Sequence, residues 1–269
     1  MTSQSPGLGL GVGITNPRLT TAKRGIAVEV AARLAVFAET SVCLVGADPT
    51  DRDVERHLPQ LAVAWGRPSR IQITRGPHLV EVATFSDSRV CVVSVSDRES
   101  VELVLPTLQE RFRFLIVDAP SRAGMGVGIA AVLLDWLDAL VVATALDAGE
   151  LAETRHYVEQ LDARPTAQHV DVRVVAIGEP TDRAFARRQL DERIAALPTI
   201  GRIPRLGGGV ATQARVADPE LDDAFRPLIR WIVDLQAGLA RTPTLHLVPD
   251  VGGGDGHIVN QLYRERFGR

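Results

Sequence analysis

Short β-branched runs recur along this chain, each followed by a longer stretch with helical spacing, and few folds accommodate that alternation. The runs fall at 12–15, 42–45, 90–95, 114–117, 139–143, 172–177 and 200–203. Helical spacing occupies 22–38, 99–111, 129–137, 150–162, 183–196 and 224–240. Strand, helix and strand in this order are the mark of βαβ units, which need a crossover helix and give parallel pairing. The runs are apolar at consecutive positions, so both faces of each strand are buried and helices must cover the sheet on both sides. The expectation is an α/β fold: a doubly wound, mainly parallel β-sheet of about seven or eight strands flanked by helices. In the first helix the spacing puts Ile26, Val30, Leu34 and Phe37 on one face. The irregular stretch 60–88 reads as an edge hairpin. Residues 1–240 form the domain, and 241–269 a glycine-bearing linker followed by a short basic amphipathic segment.

Composition narrows the function classes. Aromatic residues are only 4% of the chain, so the core must be aliphatic. A net charge of −3 argues against a surface that grips nucleic acid throughout, and non-specific DNA binding has only the arginine-rich composition behind it. No apolar run approaches the ~20 residues that cross a bilayer, and the first residues lack a basic stretch leading into an apolar one. Cys43 and Cys91 each lie in a valine-rich run and read as reduced core thiols. A cytoplasmic protein is expected, peripheral at the inner membrane face if the tail binds lipid.

One detail of composition points to a site. Of the 30 basic residues, Lys23 is the only lysine. It lies at the start of the first helix, just after the turn from the first strand, where a phosphate-binding loop belongs in folds of this kind. The stretch Arg18-Leu19-Thr20-Thr21-Ala22-Lys23-Arg24-Gly25 resembles the deviant Walker A loop of ParA/MinD-type ATPases, K-G-G-V-G-K-T-T, with Lys23 on the phosphate-binding lysine and Arg18 on the signature lysine. The resemblance extends over roughly residues 10–235 by order and spacing of motifs. Residues 42–49, VCLVGADP, look like the family strand that ends in D-x-D-P. Residues 114–120, FLIVDAP, look like Walker B, and residues 200–204, IGRIP, like the last core strand.

The resemblance implies a P-loop NTPase-like fold, ATP and Mg²⁺ as cofactors, and a homodimer. In it Lys23 meets the phosphates, Arg18 reaches across the dimer, Asp48 orients the attacking water, Asp118 holds the Mg²⁺ hydration shell, and Gly124, Gly126 and Gly128 form a switch loop. The loop residues Arg18, Thr20, Thr21, Ala22, Lys23, Arg24 and Gly25 would surround the nucleotide. The same residues depart from the pattern. Leu19, Thr20 and Ala22 replace glycines that let backbone N–H groups turn onto phosphates, and their Cβ atoms resist left-handed angles. Arg24 replaces the Mg²⁺-ligating hydroxyl, and a guanidinium repels a cation. Gly46 replaces the first aspartate of D-x-D-P, and Gly178-Glu179 stands where an asparagine often reads adenine. Weak or absent ATP turnover is therefore expected.

Plainer readings stand beside these. Asp118 could cap the turn after its strand, and Asp48 before Pro49 is a common turn element. Gly7, Gly9, Gly11 and Gly13 have a dinucleotide-fingerprint spacing but precede or lie within a strand instead of opening a helix. The histidines show no metal-ligand spacing, and Trp65, Trp136 and Trp231 suit packing. In the tail, Ile258, Leu262, Tyr263 and Phe267 with Arg264, Arg266 and Arg269 are similar to a membrane-targeting segment, or else dock on the domain. Two functions follow from the resemblance. One is a nucleotide-controlled positioning or partitioning protein acting with partners in cell division, chromosome segregation or polar assembly. The other is a pseudo-ATPase adaptor that dimerises without turnover.

Overall fold

The computed structural model describes residues 9–18, 25–48, 68–75, 78–85, 89–95, 97–123, 128–164, 170–178, 197–204 and 219–241 of the 269-residue chain. The strands are β1 (Leu10–Thr15), β2 (Val42–Gly46), β3 (Pro68–Arg75), β4 (His78–Phe85), β5 (Val90–Ser94), β6 (Phe114–Asp118), β7 (Ala139–Ala145), β8 (Asp171–Ile177) and β9 (Thr199–Ile203). The described helices are α1 (Ile26–Phe37), α2 (Arg98–Gln109), α3 (Ile129–Leu133, continued by a 3₁₀ turn Leu134–Trp136), α4 (Ala148–Asp162) and α5 (Pro219–Arg241). The strands form one nine-stranded sheet in the order β3-β4-β5-β2-β6-β1-β7-β8-β9, one strand more than the upper expected count. The additional strands are the edge hairpin β3–β4, which lies within the irregular stretch read as one. Only β4 runs against the others. The expected helix at 183–196 lies outside the described residues, as do Trp65 and the tail.

Chain path and handedness decide which helix covers which face. From β1 the chain moves one way across the sheet to β2; from β5, β6 and β7 it moves the other way. Right-handed crossovers then place α1 on one face and α2, α3 and α4 on the opposite face. The two cores follow this division. One packs Val12, Ile14, Val42, Leu44 and Ile116 under α1 and α5; the other packs Cys43, Val45, Leu115, Val117 and Val142 under α2, α3 and α4. Both Cys43 and Cys91 are buried free thiols, as expected, opposite each other on neighbouring strands.

Two sequence features find structural reasons here. The alternate glycines of β1 point toward the 3₁₀ turn that precedes β7. A Cβ on Gly11 would lie 2.9 Å from the Trp136 carbonyl oxygen, and one on Gly13 would lie 2.5 Å from Leu137 Cδ1. They are a packing stripe, in agreement with discounting a dinucleotide fingerprint. Asp138 then locks the close approach, its carboxylate accepting from Gly11 N at 2.7 Å and its own N donating to Gly11 O at 2.8 Å. The other feature is α1, which is buried all round from Ile26 to Ala35, including Glu29 and Arg33, because α5 packs on its outer side. Phe37, expected on the inward face, is instead 52% exposed, since it closes the helix beyond the cover of α5.

Candidate functional site

The parallel register brings the expected motifs to one end of the sheet. Asp118, the last residue of β6, pairs with Ile14 of β1 on one side and Gly46 of β2 on the other. Its carbonyl accepts from Ala47 N at 3.0 Å, so Asp48 follows β2 immediately beside it. Both carboxylate residues are buried, Asp118 at 2% and Asp48 at 4% exposure. The chain leaves β1 for the face of α1 and leaves β6 for the face of α3, so the strand ends diverge into a crevice. In open α/β sheets, ligands bind at such a switch point beyond the carboxyl ends of the strands.

The loop that leaves β1 is stitched to the segment that leaves β6. Thr15 Oγ1 donates to the Pro120 carbonyl at 2.6 Å, and Ser121 Oγ donates to Asn16 Oδ1 at 2.8 Å. Arg122 N donates to Asn16 O at 2.9 Å, and Arg122 Nε to Pro17 O at 3.0 Å. Arg122 makes both bonds with φ at +53°, a left-handed conformation that is uncommon for a residue with a long side chain. Beneath it, the buried Tyr157 hydroxyl donates to the Ala123 carbonyl at 2.5 Å. Burial pushes this phenol far above its usual pKa, against the opposing effect of its hydrogen bond with Thr15.

Arg18 forms a two-pronged ion pair with Glu153 on α4, within its own chain. The hydrogen bond lowers the Glu153 pKa and raises that of Arg18. Gly25 takes φ +75° and α1 begins only at Ile26, later than the spacing had placed it. Only glycine enters that conformation freely, which explains its position. Leu19, Thr20, Thr21, Ala22, Lys23 and Arg24 lie outside the described residues, so the phosphate-loop assignment for them stays with the sequence. Glycines 124 and 126 of the expected switch loop lie outside as well; Gly128, at φ +66°, precedes α3. Sequence reasoning did not single out Asn16, Ser121, Glu153 or Tyr157, and their residue types carry no motif. Only the sheet register brings them together.

For a magnesium nucleotide the fit is partial. Two carboxylates at adjacent strand ends are the hard oxygen donors such an ion takes. The helix that should present its N-terminus to phosphate starts after a left-handed glycine and carries the buried Glu29, paired with Arg33, in its first turn. Among the described residues no cluster of three or more His, Cys, Asp or Glu suits a metal ion, and no helix is long and apolar enough to cross a membrane.

Sheet order, crossover directions and the carboxylates at the switch point define a doubly wound fold of the P-loop NTPase kind. No protein-family model matches the sequence, and no curated protein matches it. Solved structures do. The MinC:MinD cell division complex of Aquifex aeolicus aligns with a TM-score of 0.60 at 14% identity, over 84% of this chain and 96% of that one. The septum site-determining protein MinD of Pyrococcus horikoshii, complexed with Mg-ADP, gives 0.60 at 13% identity over 88% and 100%. An ATP complex of Cyanothece McdA gives 0.56 at 14% identity over 85% and 97%. The fold is that of the MinD/ParA ATPases.

Proposed function

We propose that this chain acts as a MinD/ParA-like positioning or partitioning protein, in cell division, chromosome segregation or polar assembly, with an ATP site that turns nucleotide over weakly or not at all. The observation that carries the reading is the pair of buried carboxylates, Asp118 at the end of β6 and Asp48 two residues past the end of the neighbouring β2, in a chain whose only lysine follows β1 in sequence. In this reading Lys23 meets the phosphates and Asp118 the Mg²⁺ hydration shell, while the chain works as a cytoplasmic homodimer with protein partners of a positioning machinery. Residues 257–269 supply a peripheral membrane contact. Weak turnover is supported by Arg24 in place of the metal-ligating hydroxyl and by the left-handed Gly25 at the start of α1.

A second reading, an adaptor that keeps the fold and dimerises without nucleotide, draws support from Arg18. Its guanidinium is held by Glu153 of the same chain, where the first reading needs a cation reaching across a dimer. Calorimetric titration of ATP with and without Mg²⁺ separates the two, with Lys23→Ala and Asp118→Asn as controls. Mg²⁺-dependent binding lost in both variants supports the first reading; no heat at millimolar ATP removes it. Sedimentation with liposomes, with and without residues 255–269, tests the membrane contact, and equal pelleting ends that idea.

A further inference from the structure

The protruding end of α1 borders a groove. Val36 and Phe37 are 55% and 52% exposed, and they are the exposed large hydrophobic residues of the described part of the chain. With Ile229 of α5 they wall a groove of about 300 Å³ that has mostly apolar lining. Its volume lies at the lower end of the range for ligand pockets, enough for a few side chains rather than a cofactor.

The charges around it are polarised. The Arg33 guanidinium at the groove's base is turned inward, paired with buried Glu29 and 3.0 Å from Asp222, and it stacks 4.8 Å from the Phe225 ring centre. Asp222 is thus neutralised from within. On the outer rim Arg226 pairs with Asp223 at 2.6 Å, while Arg230 makes no ion pair among the described residues. Arg226 and Arg230 are one helical turn apart on α5, so the rim sets Arg230, and Arg226 in an exposed pair weak enough for a competing carboxylate to replace, beside an apolar slot.

We infer that this groove docks an amphipathic segment of a partner protein. A Leu- or Phe-type side chain enters beside Phe37 and Ile229, and Asp or Glu side chains one turn apart meet Arg226 and Arg230. Helix-in-groove recognition uses this combination of apolar anchors and flanking charge. The sign of the rim selects the occupant. The chain's own tail carries Arg264, Arg266 and Arg269 among its apolar residues, the wrong charge for this rim. A second copy docking the same face would bring two copies of the same basic rim into one interface, also unfavourable.

The test uses the full chain and a display library of amphipathic helical peptides, with Leu or Phe on one face and the remaining positions randomised over Asp, Glu, Lys and Arg. Selection on the wild type is counter-selected against the Phe37→Ser/Arg230→Glu double variant; both positions are exposed, and an unchanged melting temperature confirms that the variant folds. The expected result is enrichment of Asp and Glu, with selected peptides bound at least about tenfold more tightly by the wild type than by Phe37→Ser or Arg230→Glu, the size of one interface anchor or charge pair. Failure to enrich any sequence over the variant, or enrichment of Lys and Arg, overturns the proposal. So does sedimentation showing wild-type self-association that Phe37→Ser abolishes, which would assign the groove to a second copy.

Discussion

Replacing Arg33 with methionine keeps the aliphatic stem in place and removes only the guanidinium. Three interactions go with it, and their sizes differ. Asp222 is 36% exposed, so once released it turns to water and its loss costs little. The stacking on Phe225 at 4.8 Å contributes about 0.5–2 kcal/mol. Glu29 dominates, because its side chain is 0% exposed and loses its Arg33 partner in a place water does not reach. Breaking a buried pair from one side costs about 3–5 kcal/mol, a fifth or more of the stability of an ordinary domain. The expected outcome is destabilisation of at least ~3 kcal/mol for Arg33→Met. The double variant Glu29→Gln/Arg33→Met, which removes both buried charges together, should recover to within ~1.5 kcal/mol of the wild type. Urea unfolding followed by tryptophan fluorescence reads the midpoints, and an unchanged slope certifies that stability alone has moved. A single variant costing less than ~1 kcal/mol, or a double variant as unstable as the single one, refutes the argument that α5 makes a buried ion pair of Glu29 and Arg33.

Two further outcomes follow from packing and burial. Gly11→Ala drives a Cβ to 2.9 Å from the Trp136 carbonyl oxygen and 3.2 Å from Gln109 Nε2, and should cost about 1–3 kcal/mol by thermal unfolding. A melting temperature equal to the wild type would mean that β1 and the 3₁₀ turn do not approach this closely. Burial pushes the Cys91 thiol up to about 11 and Cys43 well above its usual value. Unfolded thiols ionise near ~8.5, so the contribution is intact below that pH and is lost as pH rises toward the folded values, on the order of 2 kcal/mol for Cys91. Cys91→Ala should therefore flatten the fall in urea midpoint between pH 8.5 and 11; an unchanged slope contradicts the burial.

The sequence spelled out the sheet before any coordinates, because a strand buried on both faces can only be written as a continuous apolar run, and 42–45, 114–117 and 139–143 are such runs. It also set Asp118 at the end of one strand and Asp48 just past the end of another, and parallel pairing brings those two strand ends together without help from any side chain. What it held back belongs to contacts between distant segments. Phe37 has the same spacing as Ile26, Val30 and Leu34, yet it is exposed, since periodicity describes a face and not how far the neighbouring helix extends over it. Glu29 and Arg33, one turn apart on α1, are buried because α5 covers them, and nothing in their spacing shows that. The stitching of Asn16 and Pro17 to Ser121 and Arg122 spans more than a hundred residues of chain and has no local signature.

By itself, then, the order of apolar runs determined the doubly wound sheet and the end of it that carries the carboxylates, since backbone pairing and crossover handedness leave little else for such a pattern to do. The tertiary structure alone decided that Arg18 meets Glu153, that the glycines of β1 serve close packing, and that α1 ends in an exposed apolar turn beside a basic rim. Each of these depends on which side chains the folded chain sets within a few ångströms of one another, and no spacing along the sequence encodes that.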